Sequence, residues 1–292
     1  MIDVSILMVS YNTRDLTLAS LRALPSACPG STFEIVVVDN NSSDDSADAI
    51  SHDFPCVNLV RGDTNLGFAR AVNLAASQAT GRYLLLLNPD TLPDGPFVTE
   101  LVEFADKHPE CGLYGGRTVR EDGRDYLAGY RFPTIPLYLW FATGMSILYN
   151  LEELPRLDRS QPTAVPALSG CLLMIERELW RSLEGFDPDF FMYCEDADLC
   201  WRATQTGAQP TLVPTARIIH LGGRASTSTA RKVEMLMKGK ISFLHKHWSP
   251  AKARLGRRLL LAGVAFRAFL RREPWLSAWR TRATWRDGWP PA

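Results

Sequence analysis

The first 120 residues alternate between short apolar runs and helix-like segments, and this alternation constrains the fold more than any other feature. Four apolar runs predict strands, at residues 4–9, 34–39, 57–60 and 83–87. The segments that follow them predict helices, at residues 13–24, 43–54, 67–78 and 96–107. Strands that are apolar on both faces and separated by helices are typical of a parallel sheet covered on both sides. The sequence therefore predicts an α/β fold with a doubly wound, mostly parallel sheet.

The second half of the chain is less regular. Residues 136–149 carry no charge and predict either a buried helix or an apolar flap beside a site. A further strand is predicted at 168–175, where Gly170 allows close backbone approach. Similar patterns predict helices at 176–183 and 196–206 and short strands at 211–213 and 218–219. We expect one domain made of two halves, residues 1–118 and 119–248, and a helical C-terminal extension at 249–292.

Polar clusters follow the first, second and fourth predicted strands. They are Ser10-Tyr11-Asn12, Asp39-Asn40-Asn41 and Asn88-Pro89-Asp90. One such cluster would be explained by turns and helix caps. Three at the carboxyl ends of parallel strands indicate a ligand site, because ligands of open α/β sheets bind there. A carboxylate such as Asp90 can hold Mg²⁺ or Mn²⁺, ions that complete their coordination with water and phosphate oxygens.

A second polar group lies later in the chain. Glu195, Asp196 and Asp198 follow the apolar run at 190–193 and open a predicted helix. Negative charge at a helix N-terminus is favourable, and capping explains Asp196 or Asp198, but it does not require all three acids. Neighbouring carboxylates raise one another's pKa, which suits a general base near neutral pH. His220 and Arg224 flank a glycine pair, and we expect them to reach a metal-bound diphosphate.

Seven segments of this sequence occur together in one known family. In chain order they are VSILMVSYN, EIVVVDNNSSDDS, NLGFARAVN, LLLLNPD, SGCLLMIERELW, GFDPDFFMYCEDADLCWRATQTG and IIHLGG. With these motifs the chain resembles the inverting family-2 glycosyltransferases of GT-A fold over about residues 3–248. It is similar to the bacterial rhamnosyltransferases of cell-surface polysaccharide assembly.

The resemblance implies a nucleotide-diphosphate sugar donor, with dTDP-rhamnose favoured over UDP-sugars or other dTDP-sugars, and a glycan or lipid-linked acceptor. It implies a divalent metal, Mg²⁺ or Mn²⁺, held by Asp90 and His220. Asn88 stands where the family's D-x-D motif has its first Asp, so Asp90 is the one carboxylate of that motif. Asp196 matches the catalytic base, with Glu195 beside it, and configuration inverts in a single displacement.

The other site residues expected fall into two groups. Donor-binding residues are expected at Ser10, Tyr11, Asn12, Asp39, Asn65, Gly67, Arg70 and Asn88. The resemblance places Tyr11, Asn12 and Asp39 at the base and Asn65, Gly67 and Arg70 at the ribose and diphosphate. An acceptor and sugar pocket is expected at Gly170, Phe191, Tyr193, Asp198 and Arg224.

The C-terminal segment is strongly basic. Residues 251–292 hold ten Lys or Arg and two acids, although the whole chain carries no net charge. An apolar stripe at helical spacing is formed by Leu255, Leu259, Ala262, Phe266 and Phe269. Arginines flank the stripe and four tryptophans follow it, which favours a helix on an anionic membrane through residues 251–286. The alternative is a helix packed on the catalytic domain or in a homodimer.

Other features limit the function classes. The six cysteines show no C-x-x-C or zinc-type spacing, and the N-terminus shows no signal-peptide pattern. We therefore expect a cytoplasmic protein, peripheral on the inner face of the membrane. A non-catalytic nucleotide-binding protein remains the alternative. A nucleic-acid partner is not expected, because the tail lacks the interleaved aromatic and basic pattern of RNA-binding sheets. A nucleotidyltransferase would need a glycine-rich, lysine-bearing loop after the first strand, which Ser10–Thr13 is not.

Overall fold

The structure is a computed structural model that describes residues 2–126, 128–145, 160–221 and 229–291. Two predicted features lie outside these ranges: Arg224 and the end of the apolar segment, residues 146–149. The strands are β1 (Val4–Ser10), β2 (Phe33–Asp39), β3 (Asn58–Arg61), β4 (Tyr83–Leu87), β5 (Thr91–Pro93), β6 (Leu113–Val119), β7 (Gly129–Tyr130), β8 (Thr163–Ala164), β9 (Ala167–Leu168), β10 (Leu172–Glu176) and β11 (Thr211–His220).

The α-helices are α1 (Arg14–Ala23), α2 (Ser46–Asp53), α3 (Phe68–Ser77), α4 (Phe97–Lys107), α5 (Ile135–Ala142), α6 (Arg177–Ser182), α7 (Glu195–Gln205), α8 (Thr229–His247), α9 (Pro250–Phe269) and α10 (Trp275–Arg280). Short 3₁₀ helices lie at Leu24–Ala27, Pro109–Cys111 and Arg282–Thr284. In the described part of the chain, no helix is both long and apolar enough to cross a bilayer.

One large sheet organises the molecule. Its order is β3-β2-β1-β4-β10-β6-β11-β5, with β8 paired to β11, so nine strands join within the described residues. The first four strands are parallel neighbours, and β1 lies in register between β2 and β4. Strand β10 runs antiparallel to both β4 and β6. The predicted α/β fold is confirmed, and both predicted halves contribute strands to the same sheet.

Hydrophobic side chains cover both faces of this sheet. Along β1, Ile6 and Met8 join the cluster that contains α1 and α4, whereas Leu7 and Val9 join the cluster that contains α3 and α7. This alternation is the period-two pattern of a strand buried on both sides. The core therefore fixes the register of β1, and with it the position of the residues that follow its carboxyl end.

Several elements differ from the sequence expectations. The strand expected at 168–175 is two strands, β9 and β10, and the two short strands expected near 211–219 are one strand, β11, with an irregularity between Val213 and Arg217. Strand β6 and helix α8 had no predicted counterpart. Two glycines obscure β6 in the sequence, yet Gly116 is required there, because a Cβ atom would lie 2.3 Å from the carbonyl oxygen of Ala216.

The apolar segment after residue 134 forms a helix in its described part. Helix α5 packs against α9, where Gly263 lies against Phe141 and the buried Arg267 donates to the Phe141 carbonyl at 2.7 Å. The buried face of α9 includes Leu260 and Val264. The predicted stripe lies largely on its other face, and Phe269 is 83% exposed. Helix α9 thus packs on the protein with one face and presents most of the predicted stripe to the outside.

Candidate active site

The predicted residues at the carboxyl end of β1 differ in burial and in their contacts. Ser10 is buried, and its hydroxyl lies within hydrogen-bond distance of Thr13 and Thr17. Asn12 adopts a positive φ of 53°, and its side-chain oxygen accepts from the backbone N–H of Ser43 at 2.7 Å. Tyr11 is exposed. Ser10 and Asn12 therefore hold the loops in place, and the exposed side chains of this cluster are Tyr11 and Asn12.

Asp39, at the end of β2, carries an unsatisfied acceptor. The residue is 4% exposed, and its Oδ2 accepts from the Ser42 N–H at 3.0 Å. Its Oδ1 is buried and has no hydrogen-bond partner in the part of the chain described. A buried unpaired acceptor costs about 1–3 kcal/mol. A ligand N–H that reached this oxygen would remove that cost.

Asn40 organises the next loop, although it was predicted only as a member of the polar cluster after the second strand. Its side-chain oxygen accepts from the Leu66 N–H at 2.8 Å, and its amide group donates to Asn65 at 3.1 Å and to the Gly67 carbonyl at 3.2 Å. Asn65 in turn accepts from the Gly67 N–H at 2.9 Å. Two asparagines thus fix the loop before α3, where donor-binding residues were predicted.

Gly67 brings this loop against a second segment of the site. It has a φ of +80°, and a Cβ atom there would lie 2.4 Å from the Phe191 carbonyl oxygen. The Phe68 N–H donates to that same oxygen at 2.7 Å. One turn later, Arg70 donates to the Pro188 carbonyl at 3.0 Å and is exposed. The start of α3 therefore joins the loop that precedes α7.

Asp90 and His220 lie together, as predicted for a metal pair. They are 3% and 6% exposed, and His220 Nε2 lies 3.4 Å from Asp90 Oδ1. Strand pairing of Thr91 with His220 sets this proximity, and the Leu221 N–H donates to the Asp90 carbonyl at 2.9 Å. The imidazole stacks on Tyr126 with ring centroids 4.8 Å apart.

The chemistry of this pair fits a divalent cation. His220 Nδ1 is buried and has no partner among the described residues. No group of three His, Cys, Asp or Glu side chains suited to a metal forms within residues 2–126, 128–145, 160–221 and 229–291. A carboxylate and an imidazole leave the remaining positions of Mg²⁺ or Mn²⁺ to water and phosphate oxygens, which these ions favour. Asn88 is half-buried beside them, and its N–H donates to the Cys171 carbonyl at 3.1 Å.

Asp196 lies in the first turn of α7 and is held on both carboxylate oxygens. Oδ1 accepts from the Tyr130 hydroxyl, and Oδ2 accepts from the Gly170 N–H at 2.9 Å. The residue keeps part of its surface accessible. Burial raises the pKa of its carboxyl, while the hydrogen bonds from Tyr130 and Gly170 lower it and so limit the rise. A positioned, partly accessible carboxylate of raised pKa is suited to accept a proton near neutral pH.

Tyr130 is a site residue that the sequence pattern did not reveal. It lies in a polar stretch that reads as a turn, but β7 pairs with β9 and carries it next to Asp196. Desolvation, followed by the charge of Asp196, raises the pKa of the Tyr130 hydroxyl well above its usual value. Tyr130 therefore remains a hydrogen-bond donor to the carboxylate.

The other two acids of the cluster have different surroundings. Glu195 is buried, and its Oε2 has no partner among described residues. Desolvation first, then the charge of Asp196, raises its pKa well above the usual value, which favours the protonated form. Asp198 is 1% exposed and is bound by Arg202 at 2.6 Å and by His247 at 2.7 Å. Asp198 was expected in an acceptor pocket, but its contacts join α7 to α8.

Cys171 links the two acidic parts of the site. Burial raises the pKa of its thiol, and the charges of Asp196 and Asp90 add to the rise. In addition, Asp196 Oδ2 accepts from the N–H of the preceding residue, Gly170, and the Cys171 carbonyl accepts from the N–H of Asn88, two residues before Asp90. Asp90 and Asp196 come from distant parts of the sequence, and the pairing of β4 with β10 brings them to one region of the sheet.

Comparisons with known proteins identify the family and the fold. The model of the family described as glycosyl transferase family 2 matches residues 5–183. An N-acetylglucosaminyl-diphospho-decaprenol L-rhamnosyltransferase of Mycobacterium tuberculosis is 27% identical over an alignment of 207 residues, and the match covers 64% of this chain and 66% of that protein. The rhamnosyltransferase WbbL of Escherichia coli is 25% identical over an alignment of 198 residues, and the match covers 64% of this chain and 72% of that protein. The chain thus spans just under two thirds of the mycobacterial relative.

Solved structures extend the likeness to the whole fold. A structure of GalNAc-T7 with UDP, GalNAc and Mn²⁺ has a TM-score of 0.63 at 17% identity, covering 90% of this chain and 51% of its own. The mannosyltransferase PcManGT of Pyrobaculum calidifontis, with GDP-Man and Mn²⁺, has a TM-score of 0.61 at 19% identity, covering 96% and 79%. These likenesses support the predicted GT-A fold, including the C-terminal helices.

Proposed function

Because the chain belongs to glycosyl transferase family 2, we propose that it is an inverting glycosyltransferase in which Asp196 is the catalytic base. The observation that carries this proposal is the state of Asp196. It is partly accessible, its two oxygens accept from Tyr130 and Gly170, and its pKa is raised. The residue after Gly170 accepts from the backbone of Asn88, in the segment that contains Asp90. This is the arrangement needed to deprotonate an acceptor hydroxyl next to a bound diphosphate.

In the proposed mechanism the protein orients both substrates before the bond changes. Asp39 accepts an N–H of the nucleotide base, and the loop fixed by Asn40 and Asn65 lines the donor. A carboxylate oxygen of Asp196 takes the proton from the acceptor hydroxyl while the oxygen of that hydroxyl attacks the anomeric carbon of the donor. The bond from that carbon to the diphosphate breaks on the opposite face, so the configuration inverts. Asp90 and His220 would hold a divalent cation, which would stabilise the charge on the departing diphosphate.

The donor is proposed to be a dTDP-sugar, with L-rhamnose as the transferred group. Two relatives are named as rhamnosyltransferases. The unpaired Asp39 Oδ1 suits the imide N–H of thymine, and it suits uracil equally, so UDP-sugars are the main rivals. In a panel of dTDP-, UDP- and GDP-sugars with and without Mn²⁺, we expect dTDP-rhamnose to bind and hydrolyse fastest. If no sugar nucleotide binds, the result would support the alternative, a protein with the transferase fold that lacks this activity.

The acceptor is proposed to be lipid-linked, with the enzyme resting on the inner face of the cytoplasmic membrane. An exposed apolar patch supports this, formed by Leu139, Trp140, Met145, Phe266, Phe269 and Leu270. Phe266 lies against Gly144, so the contributions of α5 and α9 are contiguous. Exposed Arg271 and Arg272 follow the patch directly. Apolar groups bordered by arginine suit the interface of an anionic leaflet. Trp285, in contrast, is fully buried, and Trp289 is partly buried against the core.

We expect Arg271→Gln with Arg272→Gln to weaken binding to phosphatidylglycerol vesicles roughly 30-fold, since each basic residue near the surface contributes about 1 kcal/mol. Phe269→Ser should weaken it roughly tenfold, through the loss of about 1.5 kcal/mol of apolar burial. Vesicle co-sedimentation measures both, and Arg124→Gln, an exposed arginine elsewhere, is the matched control. Equal binding by all variants would mean that this face does not meet the membrane.

Tyr130→Phe tests how Asp196 is kept ready as a base. The Tyr130 hydroxyl stabilises the carboxylate form of Asp196, so its removal raises the pKa of Asp196. The base is then protonated up to a higher pH, and the acidic limb of the pH–kcat profile moves upward. The alkaline plateau should stay within about tenfold of the wild type. Tyr114→Phe, which removes a buried hydroxyl bound to the His108 carbonyl, should leave the limb in place. An unmoved limb in Tyr130→Phe would refute this role.

A further inference from the structure

The segment immediately before Asp196 has an unfavourable backbone. Tyr193 and Cys194 adopt φ values of 68° and 71°, a region that non-glycine residues rarely occupy. Two consecutive residues of this kind persist only when surrounding contacts hold them. Residues 190–194, named here the catalytic loop, also lie against Gly67 through the Phe191 carbonyl. The loop therefore joins the predicted donor-binding loop to the proposed base.

Helix α8 supports this loop from one side. Gly239 packs against the Tyr193 carbonyl so closely that a Cβ atom would lie 2.2 Å from its oxygen. Lys246 binds Asp187 at 2.6 Å and Asp189 at 2.7 Å, just before the loop. These contacts fix the two ends of the catalytic loop and leave Phe191 and Met192 between them.

The last residues of the chain return to this middle part. The Trp289 indole N–H donates to the Met192 carbonyl at 3.2 Å, and its ring packs on Phe191 with centroids 5.3 Å apart. The Trp289 backbone N–H donates to the Ser242 hydroxyl of α8 at 2.8 Å. Lys238 lies over the indole, 4.5 Å from its centroid. Trp289 is thus fastened to α8 while it binds the loop by both a hydrogen bond and a ring contact.

We propose that Trp289 is a positioning residue that holds the catalytic loop, through Met192 and Phe191, in the conformation that presents Asp196. The C-terminal tail is in this view part of the active-site framework as well as a helical extension. The role of Asp196 rests on the proposed function, whereas the fastening of the loop by Trp289 does not.

Two measurements on the full chain separate these claims. Amide hydrogen exchange of a peptide covering residues 187–196 measures the local stability of the loop. Steady-state kinetics, with the donor that the wild type turns over, measure the effect of that stability on catalysis. In Trp289→Ala we expect exchange there to quicken about tenfold and kcat to fall about tenfold, with the donor KM within about twofold of the wild type. Trp289→Phe keeps an aromatic ring and loses the indole N–H, so its exchange rate and its kcat should lie between those of the wild type and Trp289→Ala.

Trp279→Phe and Trp279→Ala are the matched controls, because Trp279 packs in α10 beside Arg282. They should leave both exchange at 187–196 and kcat unchanged. If Trp289→Ala and Trp279→Ala exchange alike at 187–196, the proposal is overturned. If the loop loosens only in Trp289→Ala but the wild type turns over no sugar nucleotide, the fastening stands and the proposed function fails. A loosened loop with unchanged kcat would overturn the positioning role.

Discussion

Asp196→Asn is expected to lower kcat for sugar transfer about 10³-fold while leaving the donor Kd within about twofold of the wild type. The carboxamide keeps the shape of the carboxylate at the start of α7 but cannot take the proton of an acceptor hydroxyl. The donor is expected to contact Asp39, Asp90 and the loop before α3, so its affinity should not depend on this proton transfer. Product formation by intact mass and donor binding by calorimetry measure the two quantities separately.

Asp198→Asn provides the contrast on the same helix. Asp198 forms a buried ion pair with Arg202 and lies within hydrogen-bond distance of His247, and removal of one partner of a buried ion pair costs about 3 kcal/mol or more. Its main expected effect is therefore a lower free energy of unfolding, seen in denaturant titration. If Asp196→Asn keeps kcat within tenfold of the wild type, Asp196 is not the base and the assignment of the acidic cluster must change.

Asp90→Ala is expected to weaken donor binding in the presence of Mn²⁺ about 100-fold, close to 2.7 kcal/mol. Asp90 is the one carboxylate of the Asn88-Pro89-Asp90 segment, and His220 beside it is uncharged when it acts as a ligand. Loss of Asp90 removes the negative charge that would retain the cation near the diphosphate. The measurement is a calorimetric titration of donor with Mn²⁺ and again with chelator.

Without metal, the wild type and Asp90→Ala should bind the donor with similar, weak affinity. His220→Ala should weaken Mn²⁺-dependent binding less, about tenfold. If Asp90→Ala binds the donor in Mn²⁺ as tightly as the wild type does, Asp90 does not hold the cation.

The sequence anticipated the parts of the site that lie at the ends of apolar strands. Regular alternation placed β1, β2 and β4 within a few residues, and the polar clusters after them follow from that placement. Asp90 and His220 were expected together on the basis of family resemblance, and the β5–β11 pairing puts them side by side. Local pattern suffices for Ser10, Asp39 and Asn88, because each lies at the end of the strand that positions it or directly after that strand.

The remaining parts depend on contacts between distant segments. Tyr130 lies in a stretch with no periodicity and gains its place only through the β7–β9 pairing. Asn40 looks like an ordinary turn residue until its side chain is seen to bind the loop at residues 65–67. Asp196 and Asp198 are two residues apart, yet Asp196 is partly accessible, whereas Asp198 is buried and bound by Arg202 and His247. Such differences arise from tertiary packing, which spacing in the sequence does not encode.

The C-terminal segment illustrates the same limit. Its apolar stripe predicted one helix with two alternative locations, on a membrane or on the protein. In the structure α9 packs with one face and exposes most of the stripe on the other, because small residues such as Gly256 and Gly263 allow the close approach that buries the first face. The tryptophans that follow α9 are not all at the surface either, since Trp289 packs beside the catalytic loop.

The most direct test of the proposed function is the anomeric configuration of the first product formed with the donor that the panel selects. Proton NMR of that product, with quantification of the released nucleoside diphosphate, reports the stereochemistry and the stoichiometry together. Single displacement assisted by Asp196 predicts the configuration opposite to that of the donor and one nucleoside diphosphate per sugar transferred. A product that retains the donor's configuration would contradict the account.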